Sequence, residues 1–355
     1  MRNRKGVPTN DRFLKACRRE PVDYTPIWLM RQAGRYMKEF REIRAKHSLL
    51  TVCKTPELAA EVTLQPIKRF DLDASIIFAD ILLPLEPMGL QLEFVKGEGP
   101  AIHNPVKDKK GVEALRPVVP EESLGYVMEA IRQVRRELKV PLIGFAGAPF
   151  TLASYMIEGG HSRNYLDTKR MMYGAPEVWD LLMTKLVRVL SDYLMAQVKA
   201  GAQALQVFDS WIGALSPDDY RRFVFPHMKG LFAALQGAGV PLIHFGTGTA
   251  TLLELQKEAG GDVIGLDWRV NLDEGWKRLG YDVAVQGNLD PVVLFAPISE
   301  IENQVDAILR RAANRPGHIF NLGHGILPET PLESVDAVIA RVHQQSARRG
   351  GPGSR

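Results

Sequence analysis

Cysteine is nearly absent from this chain: Cys17 and Cys53 are the two thiols in 355 residues. Neither sits in a CxxC pair or a Cys/His group. That argues against a structural zinc site and for a reducing, cytoplasmic compartment. No apolar run approaches the roughly 18 residues that a membrane span needs. The start, Met-Arg-Asn-Arg-Lys, is basic, but no apolar core of a secretory signal follows it. Strong charge is also missing. The net +4 is spread out, without a block of five like charges. This disfavours nucleic acid as a partner and leaves room for a small anion held by a local group of cations. No GxGxxG follows the first strand-like run, so a doubly wound dinucleotide-binding fold is the weaker architecture.

Apolar material in short pieces is what the chain does have. A hydrophobic fraction of 45% against 24% charged allows a large core without disulfides or metals. Eight runs of β type stand out, at residues 26–30, 74–79, 141–146, 204–208, 241–245, 263–266, 283–285 and 318–322. Each is nearly continuous in apolar character rather than alternating, the mark of strands buried on both faces. Helix-length segments separate them, for example residues 58–68, 124–137, 177–199, 218–236, 249–259 and 299–313. Alternation of strand and helix predicts a parallel sheet. Eight strands at this length predict an α/β fold of one domain over residues 1–355, a (β/α)8 TIM barrel.

Some stretches exceed a minimal barrel. Residues 84–119 carry Gly89, Gly97, Gly99 and Pro100 around a β-like piece at 90–95, which reads as a hairpin insertion after the second strand. Residues 156–175 read as a long connection hinged at Gly159-Gly160, and such βα loops hold binding residues or lids. The polar segment 1–24, with a helix near residues 11–19, is expected to pack outside the barrel. The Arg/Gly/Pro/Ser-rich tail, 347–355, is expected to be disordered.

In this architecture the chemistry collects just after each strand. The first run ends in Arg31-Gln32-Ala33-Gly34-Arg35. Two permanent cations with planar forks suit carboxylate or phosphate oxygens, and Gly34 allows a tight turn. Arg35 has a competing role, an i,i+4 pair with Glu39 on a solvated helix face. The second run delivers Asp80, a lone carboxylate in apolar surroundings. Burying it alone is costly, so either an arginine pairs with it or it accepts ligand N–H groups; the second reading is preferred. Further strand ends supply Phe150 and Tyr155, Phe208-Asp209-Ser210, His244-Phe245, Asp267, Asn288 and Asn321-Leu322-Gly323-His324-Gly325. Phe78, Phe150, Phe208 and Phe245 would form walls around a bulky, partly flat, anionic molecule. Alternatives stand beside these readings: Asp209 or Ser210 as a helix cap, Tyr155 as packing, His244 as a core histidine, and Asp267 and Asn288 as supporting or capping groups. His324, between glycines, reads as a ligand contact.

Four segments carry a resemblance: Met30-Arg31-Gln32-Ala33-Gly34-Arg35-Tyr36, Phe78-Ala79-Asp80-Ile81-Leu82, Tyr155-Met156-Ile157-Glu158-Gly159-Gly160 and Asn321-Leu322-Gly323-His324-Gly325. Together they resemble the signatures of the uroporphyrinogen decarboxylase family, over residues 11–343. The resemblance implies a barrel enzyme without cofactor or metal, a homodimer whose two clefts face each other. It would convert the four acetates of uroporphyrinogen III to methyls, giving coproporphyrinogen III and four CO2 in haem biosynthesis. By motif position, Arg31, Gln32, Ala33, Gly34, Arg35, Asp80, Tyr155, Phe208, Ser210 and His324 would bind substrate. Arg31, Arg35, Asp80, Tyr155 and His324 would serve catalysis, with Asp80 accepting the pyrrole N–H groups. Asp209 departs from the glutamate often found before the serine. Rival readings are a zinc methyltransferase of the same superfamily, a tetrapyrrole carrier, and a phosphate-binding barrel aldolase or isomerase. The first lacks its ligand cysteines here, and the last lacks a lysine after any strand.

Overall fold

The computed structural model describes residues 10–95 and 99–348. The first nine residues of the polar N-terminal segment, the tip of the hairpin at 96–98 and tail residues 349–355 lie outside the described residues.

The described residues form nine strands: β1 (Ser75–Ile76), β2 (Leu92–Val95), β3 (Gly99–Ile102), β4 (Leu142–Gly147), β5 (Ala204–Asp209), β6 (Leu242–Gly246), β7 (Val263–Gly265), β8 (Ala284–Gln286) and β9 (His318–Ile319). Seven of them form one curled parallel sheet in the order β1-β4-β5-β6-β7-β8-β9, each pairing with the next in sequence. β2 and β3 pair antiparallel as a separate hairpin, with Leu92 opposite Ile102. Every residue of β4, β6, β7 and β8 is buried. Helices cover one face and side chains fill the other, which is why these runs are apolar throughout.

The run 26–30 takes part in no ladder, yet it is hydrogen-bonded to both ends of the sheet. Ile27 bridges Phe320 in parallel, with Phe320 N–H donating to the Pro26 carbonyl at 2.8 Å. On the other side Asp73 N–H donates to the Ile27 carbonyl at 2.8 Å. Pro26 has no N–H, and side chains capture three of the four donors that follow. Ile27 N–H goes to the Asp73 carboxylate at 2.9 Å, Leu29 N–H to Gln32 Oε1 at 3.2 Å, and Met30 N–H to Asn321 Oδ1 at 3.0 Å. Trp28 N–H alone keeps a strand-like backbone acceptor, the Phe320 carbonyl at 3.4 Å, so the backbone is satisfied partly by the neighbouring chain and partly by side chains.

Beneath the C-terminal edge a polar chain crosses the interior. Trp28 Nε1–H donates to Gln286 Oε1 at 2.9 Å, and Gln286 Nε2 donates to Gln206 Oε1 at 3.1 Å. At the opposite edge the helix Arg12–Cys17 buries Phe13, Ala16 and Cys17. Arg19 lies against Gly317, just ahead of β9, where a Cβ would sit 2.8 Å from its Cγ.

Several helices differ from the sequence reading. Residues 218–236 form two helices, Pro217–Phe223 and Phe225–Leu235. Pro226 cannot donate backward into the first and so opens the second. Residues 156–175 are largely helical rather than a loose connection. Pro149–Glu158 ends at Gly159 in the left-handed conformation (φ 81°), and Leu166–Gly174 follows seven residues later. Helices at Lys38–Lys46, Leu49–Lys54, Leu272–Leu279 and Leu332–Ser346 were not among the segments singled out above.

Asp73 is the knot of this arrangement. It is 1% exposed and its carboxylate accepts from Ile27 N–H, Asn10 Nδ2 at 2.7 Å, Tyr24 O–H at 3.4 Å and His343 Nε2 at 3.1 Å. It ties the N-terminal segment, the run 26–30 and the last helix together. Asp73→Ala should therefore cost about 3 kcal/mol of stability, because a buried backbone donor and three side-chain donors lose their acceptor. Asp73→Asn should cost less. Urea denaturation of both variants measures the difference.

Candidate active site

Because all seven strands are parallel, their C-terminal ends share one edge, and a cavity of about 180 Å³ opens there. Its apolar lining includes Ile77, Phe78, Ile81, Phe145, Phe208 and Phe245; its polar lining is Arg31, Asp80, Ser210 and His324. Phe208 meets Phe145 and Phe245 edge to face at 5.4 and 5.9 Å. Phe150, expected as a wall, is instead buried against Trp179 and Tyr165 behind the site. It lies on the helix after β4 and faces the core. Phe145 takes the wall position because alternate residues of β4 point inward.

The turn after Met30 is built to present its cations. Arg31 has a left-handed backbone (φ 61°), a cost that an L-residue meets only where the surroundings impose it. Gln32 is fully buried; its Oε1 accepts from Leu29 N–H, its Nε2 donates to the Ala74 carbonyl at 3.3 Å, and its own carbonyl accepts from Tyr36 O–H at 2.7 Å. The side chain of Gln32 therefore braces the turn from within and does not line the cavity. Ala33 lines it. A Cβ on Gly34 would lie 3.0 Å from the Arg31 carbonyl oxygen, so the tight approach favours glycine. Arg31 and Arg35 are both exposed. Arg35 stands on the same turn but outside the cavity lining, and its carbonyl accepts from Arg41 Nη1 at 2.9 Å. Neither guanidinium forms an ion pair with a described residue, Glu39 and Asp80 included.

Asp80 is half-buried, and its Oδ1 accepts from Leu82 N–H at 2.9 Å. Burial pushes its carboxyl above the ordinary value, while the Leu82 N–H and the charge of Arg31 pull it back. A carboxylate held in an apolar wall, with cations near but not in contact, is arranged to meet something else. His324 reaches the same cavity from the loop after β9. Burial and the charges of Arg31 and Arg269 push its imidazole down to about 4, so it is neutral at pH 7 in the free protein. The Gly323-His324-Gly325 flanks are steric requirements. A Cβ on Gly325 would fall 2.7 Å from Cγ of Arg31, and one on Gly323 would fall 2.5 Å from Trp268 N.

Ser210 lines the cavity, and its carbonyl accepts from the Thr247 hydroxyl. Asp209 beside it points away and is buried. It accepts from Thr151 O–H at 2.9 Å, and burial pushes its carboxyl up to about 7. Thr151 Oγ1 also accepts from Trp211 N–H at 3.3 Å. This ties the β5 end to the helix Pro149–Glu158, where Tyr155 stacks on Trp211 at 3.9 Å between ring centroids. Tyr155 is outside the cavity lining but close enough that the charges of Asp80 and Arg31 act on its hydroxyl, which burial pushes up. His244 is a core residue, its Nδ1 3.3 Å from the carbonyls of Gln256 and Gly260. Asn288 Nδ2 donates to the carbonyls of Asp267 and Val270, a loop clamp. Among the described residues no group of three or more His, Cys, Asp or Glu could hold a metal ion.

Fold and site together define an α/β protein with an apolar cavity at the C-terminal edge of a parallel sheet, lined by a cation, a carboxylate, a hydroxyl and an imidazole. The family described as Uroporphyrinogen decarboxylase (URO-D) matches residues 8–345. The uroporphyrinogen decarboxylase of Sorangium cellulosum is 61% identical over 336 residues, covering 94% of this chain and 96% of that one. That of Carboxydothermus hydrogenoformans is 59% identical over 340 residues, covering 95% and 97%. Among solved structures, a methyltransferase from Methanosarcina mazei superposes with a TM-score of 0.79 at 22% identity, covering 96% of this chain and 99% of that one; it bears on the fold alone. The chain belongs to the uroporphyrinogen decarboxylase family.

Gly325→Ala tests the steric part of this site. The added methyl overlaps the stem of Arg31, not its mobile tip, so the guanidinium must be re-routed. KM for uroporphyrinogen should rise roughly tenfold, the size of one lost charge-assisted contact, with stability changed by less than about 1 kcal/mol. Steady-state kinetics and a melting curve decide it.

Proposed function

We propose that Asp80 is the centre of the reaction, accepting the pyrrole N–H groups of uroporphyrinogen while Arg31 and Arg35 hold side-chain carboxylates. The reaction itself is decarboxylation of uroporphyrinogen in haem biosynthesis. In the form that the motifs imply, four acetates of uroporphyrinogen III become methyls, giving coproporphyrinogen III and four CO2. The observation that carries the assignment is the half-buried Asp80 carboxylate, without an ion pair to any described residue and lining the same cavity as Arg31 and His324.

The chemistry follows from that placement. A proton adds to a ring carbon of the pyrrole, making a cation. The bond from acetate carbon to carboxylate then breaks, CO2 leaves, and its electron pair passes into the ring as an exocyclic methylene. A proton added to that methylene makes the methyl group, and loss of the ring proton restores the pyrrole. The ring is its own electron sink. A fixed carboxylate beside the nitrogens stabilises the cation more than the neutral ground state, which is what lowers the barrier. Cavity size fits a shared arrangement: about 180 Å³ takes part of the macrocycle, and the remaining carboxylates lie at the mouth, where Arg31 and Arg35 are exposed. Phe208 and Ser210 supply wall and polar contact. Substrate carboxylates near His324 would raise its pKa from about 4, making the imidazole a better proton carrier in the complex than in the free enzyme. Tyr155 stands at the rim as a second hydroxyl contact.

The same reading covers the whole molecule. With run 26–30 as the eighth stave the sheet closes into a (β/α)8 barrel of one domain, and β2–β3 is its hairpin insertion. A homodimer with facing clefts suits the exposed apolar side chains of Val292, Phe295 and Ile298, 61%, 45% and 40% exposed, on the segment that follows β8. No described helix is long and apolar enough to cross a membrane; with two buried free thiols this supports a cytoplasmic enzyme.

Anaerobic incubation with enzymatically generated uroporphyrinogen III should give seven-, six-, five- and four-carboxylate products in sequence. Asp80→Asn should lower kcat by about 10²–10³-fold, as removal of a preorganised charge does elsewhere. An unchanged kcat would overturn the role given to Asp80.

A further inference from the structure

Eight substrate carboxylates outnumber the two arginines of the first turn, and the structure offers a further cation that the sequence patterns do not mark. We propose that Arg269 is a third guanidinium of the receptor, binding a substrate carboxylate beside His324. The proposal rests on the reading of Asp80, Arg31 and His324 given above.

Arg269 stands on the turn after β7 and is held there from several directions. The buried Asp267 carboxylate accepts from Arg269 N–H at 3.1 Å, from Arg269 Nη1 at 2.5 Å and from Gly248 N–H at 2.6 Å. Asn288 closes both ends of the turn through its donations to the carbonyls of Asp267 and Val270, 2.9 and 2.6 Å. The guanidinium also stacks over Trp268, 4.1 Å from the ring centroid. Half of the Arg269 side chain remains exposed, and its Nε and Nη2 have no described partner. A pre-positioned guanidinium with donors to spare loses little entropy on taking a carboxylate.

The turn also lies against the active-site loop. Gly323 approaches Trp268 N and the Asp267 carbonyl carbon so closely that a Cβ would sit 2.5 and 3.0 Å from them, and His324 is the next residue. In the sheet order the His324 loop follows β9, next to the run bearing Arg31, while Arg269 arrives from β7 on the other side of β8. Both charges act on the one imidazole. Neutralising Asp267 accounts for the backbone N–H and one guanidinium N–H of Arg269. It does not account for the exposed remainder, which lies outside the cavity lining but on the turn packed against the His324 loop.

The test is anaerobic steady-state kinetics with uroporphyrinogen at several ionic strengths. It compares wild type, Arg269→Gln, Arg269→Lys, the double variant Asp267→Asn/Arg269→Gln and the control Arg31→Gln. The double variant removes both charges of the turn, so no buried carboxylate is left unpaired. Arg269→Gln and the double variant should raise KM roughly tenfold, with kcat within about twofold. Both should show a shallower rise of KM with salt, as expected when one ionic contact is gone. Arg269→Lys should recover part of the loss. A double variant with wild-type KM and wild-type salt dependence, beside an Arg31→Gln control whose KM rises, would overturn the role of Arg269 and leave the site reading intact. A wild-type protein inert toward uroporphyrinogen would overturn that reading and this proposal together.

Discussion

Parallel pairing in chain order is the constraint from which the site follows. Each strand must return to the same end before the next begins, so each C-terminal end arrives at one edge. Arg31, Asp80, Ser210 and His324 are scattered over nearly 300 positions, yet each follows an apolar run directed at that edge. The helices between the runs hold the edge apart but contribute little to it; Tyr155, on the helix after β4, is the exception. The price of this arrangement falls on the first run, three of whose four donors are taken by Asp73, Gln32 and Asn321 side chains, only Trp28 N–H reaching a neighbouring backbone carbonyl. The same side chains fix the turn that presents Arg31.

The electrostatics of the edge are deliberately incomplete. Asp80 is desolvated without a cation in contact, Arg31 and Arg35 have no carboxylate, and His324 is kept neutral by burial and by two guanidiniums. In a site whose purpose was stability these groups would pair with one another. Held apart, they suit the proposed binding mode, N–H groups at Asp80 and carboxylates at the arginines. Separation of this kind is stored before the substrate arrives, which is the preorganisation that electrostatic catalysis needs.

Much of this was legible from residue order. Seven of the eight apolar runs are strands of the sheet, because burial on both faces leaves continuous apolar character. The eighth, residues 26–30, has strand-like partners on both sides but no ladder, since side-chain acceptors that sequence patterns do not mark take three of its four N–H groups. The extended helix at 218–236 failed at Pro226, a residue whose missing donor was there to be read. Phe150 was assigned to the cavity by its place after a strand, and Gln32 was named as a substrate contact by motif position. Direction sends one to the core and turns the other into a brace. Phe145 and Arg269 were overlooked for the converse reason: the first lies inside a strand, and the second depends on loop packing at Gly323 and Asn288 that local sequence does not announce.

The central claim is that an unpaired carboxylate waits for the pyrrole nitrogens. The most direct measurement is a crystal structure of the protein grown anaerobically with reduced tetrapyrrole product. The account predicts pyrrole nitrogens within about 2.7–3.2 Å of the Asp80 carboxylate, with side-chain carboxylates on the exposed guanidiniums at the mouth. A macrocycle bound elsewhere, or one whose nitrogens face away from Asp80, would contradict it.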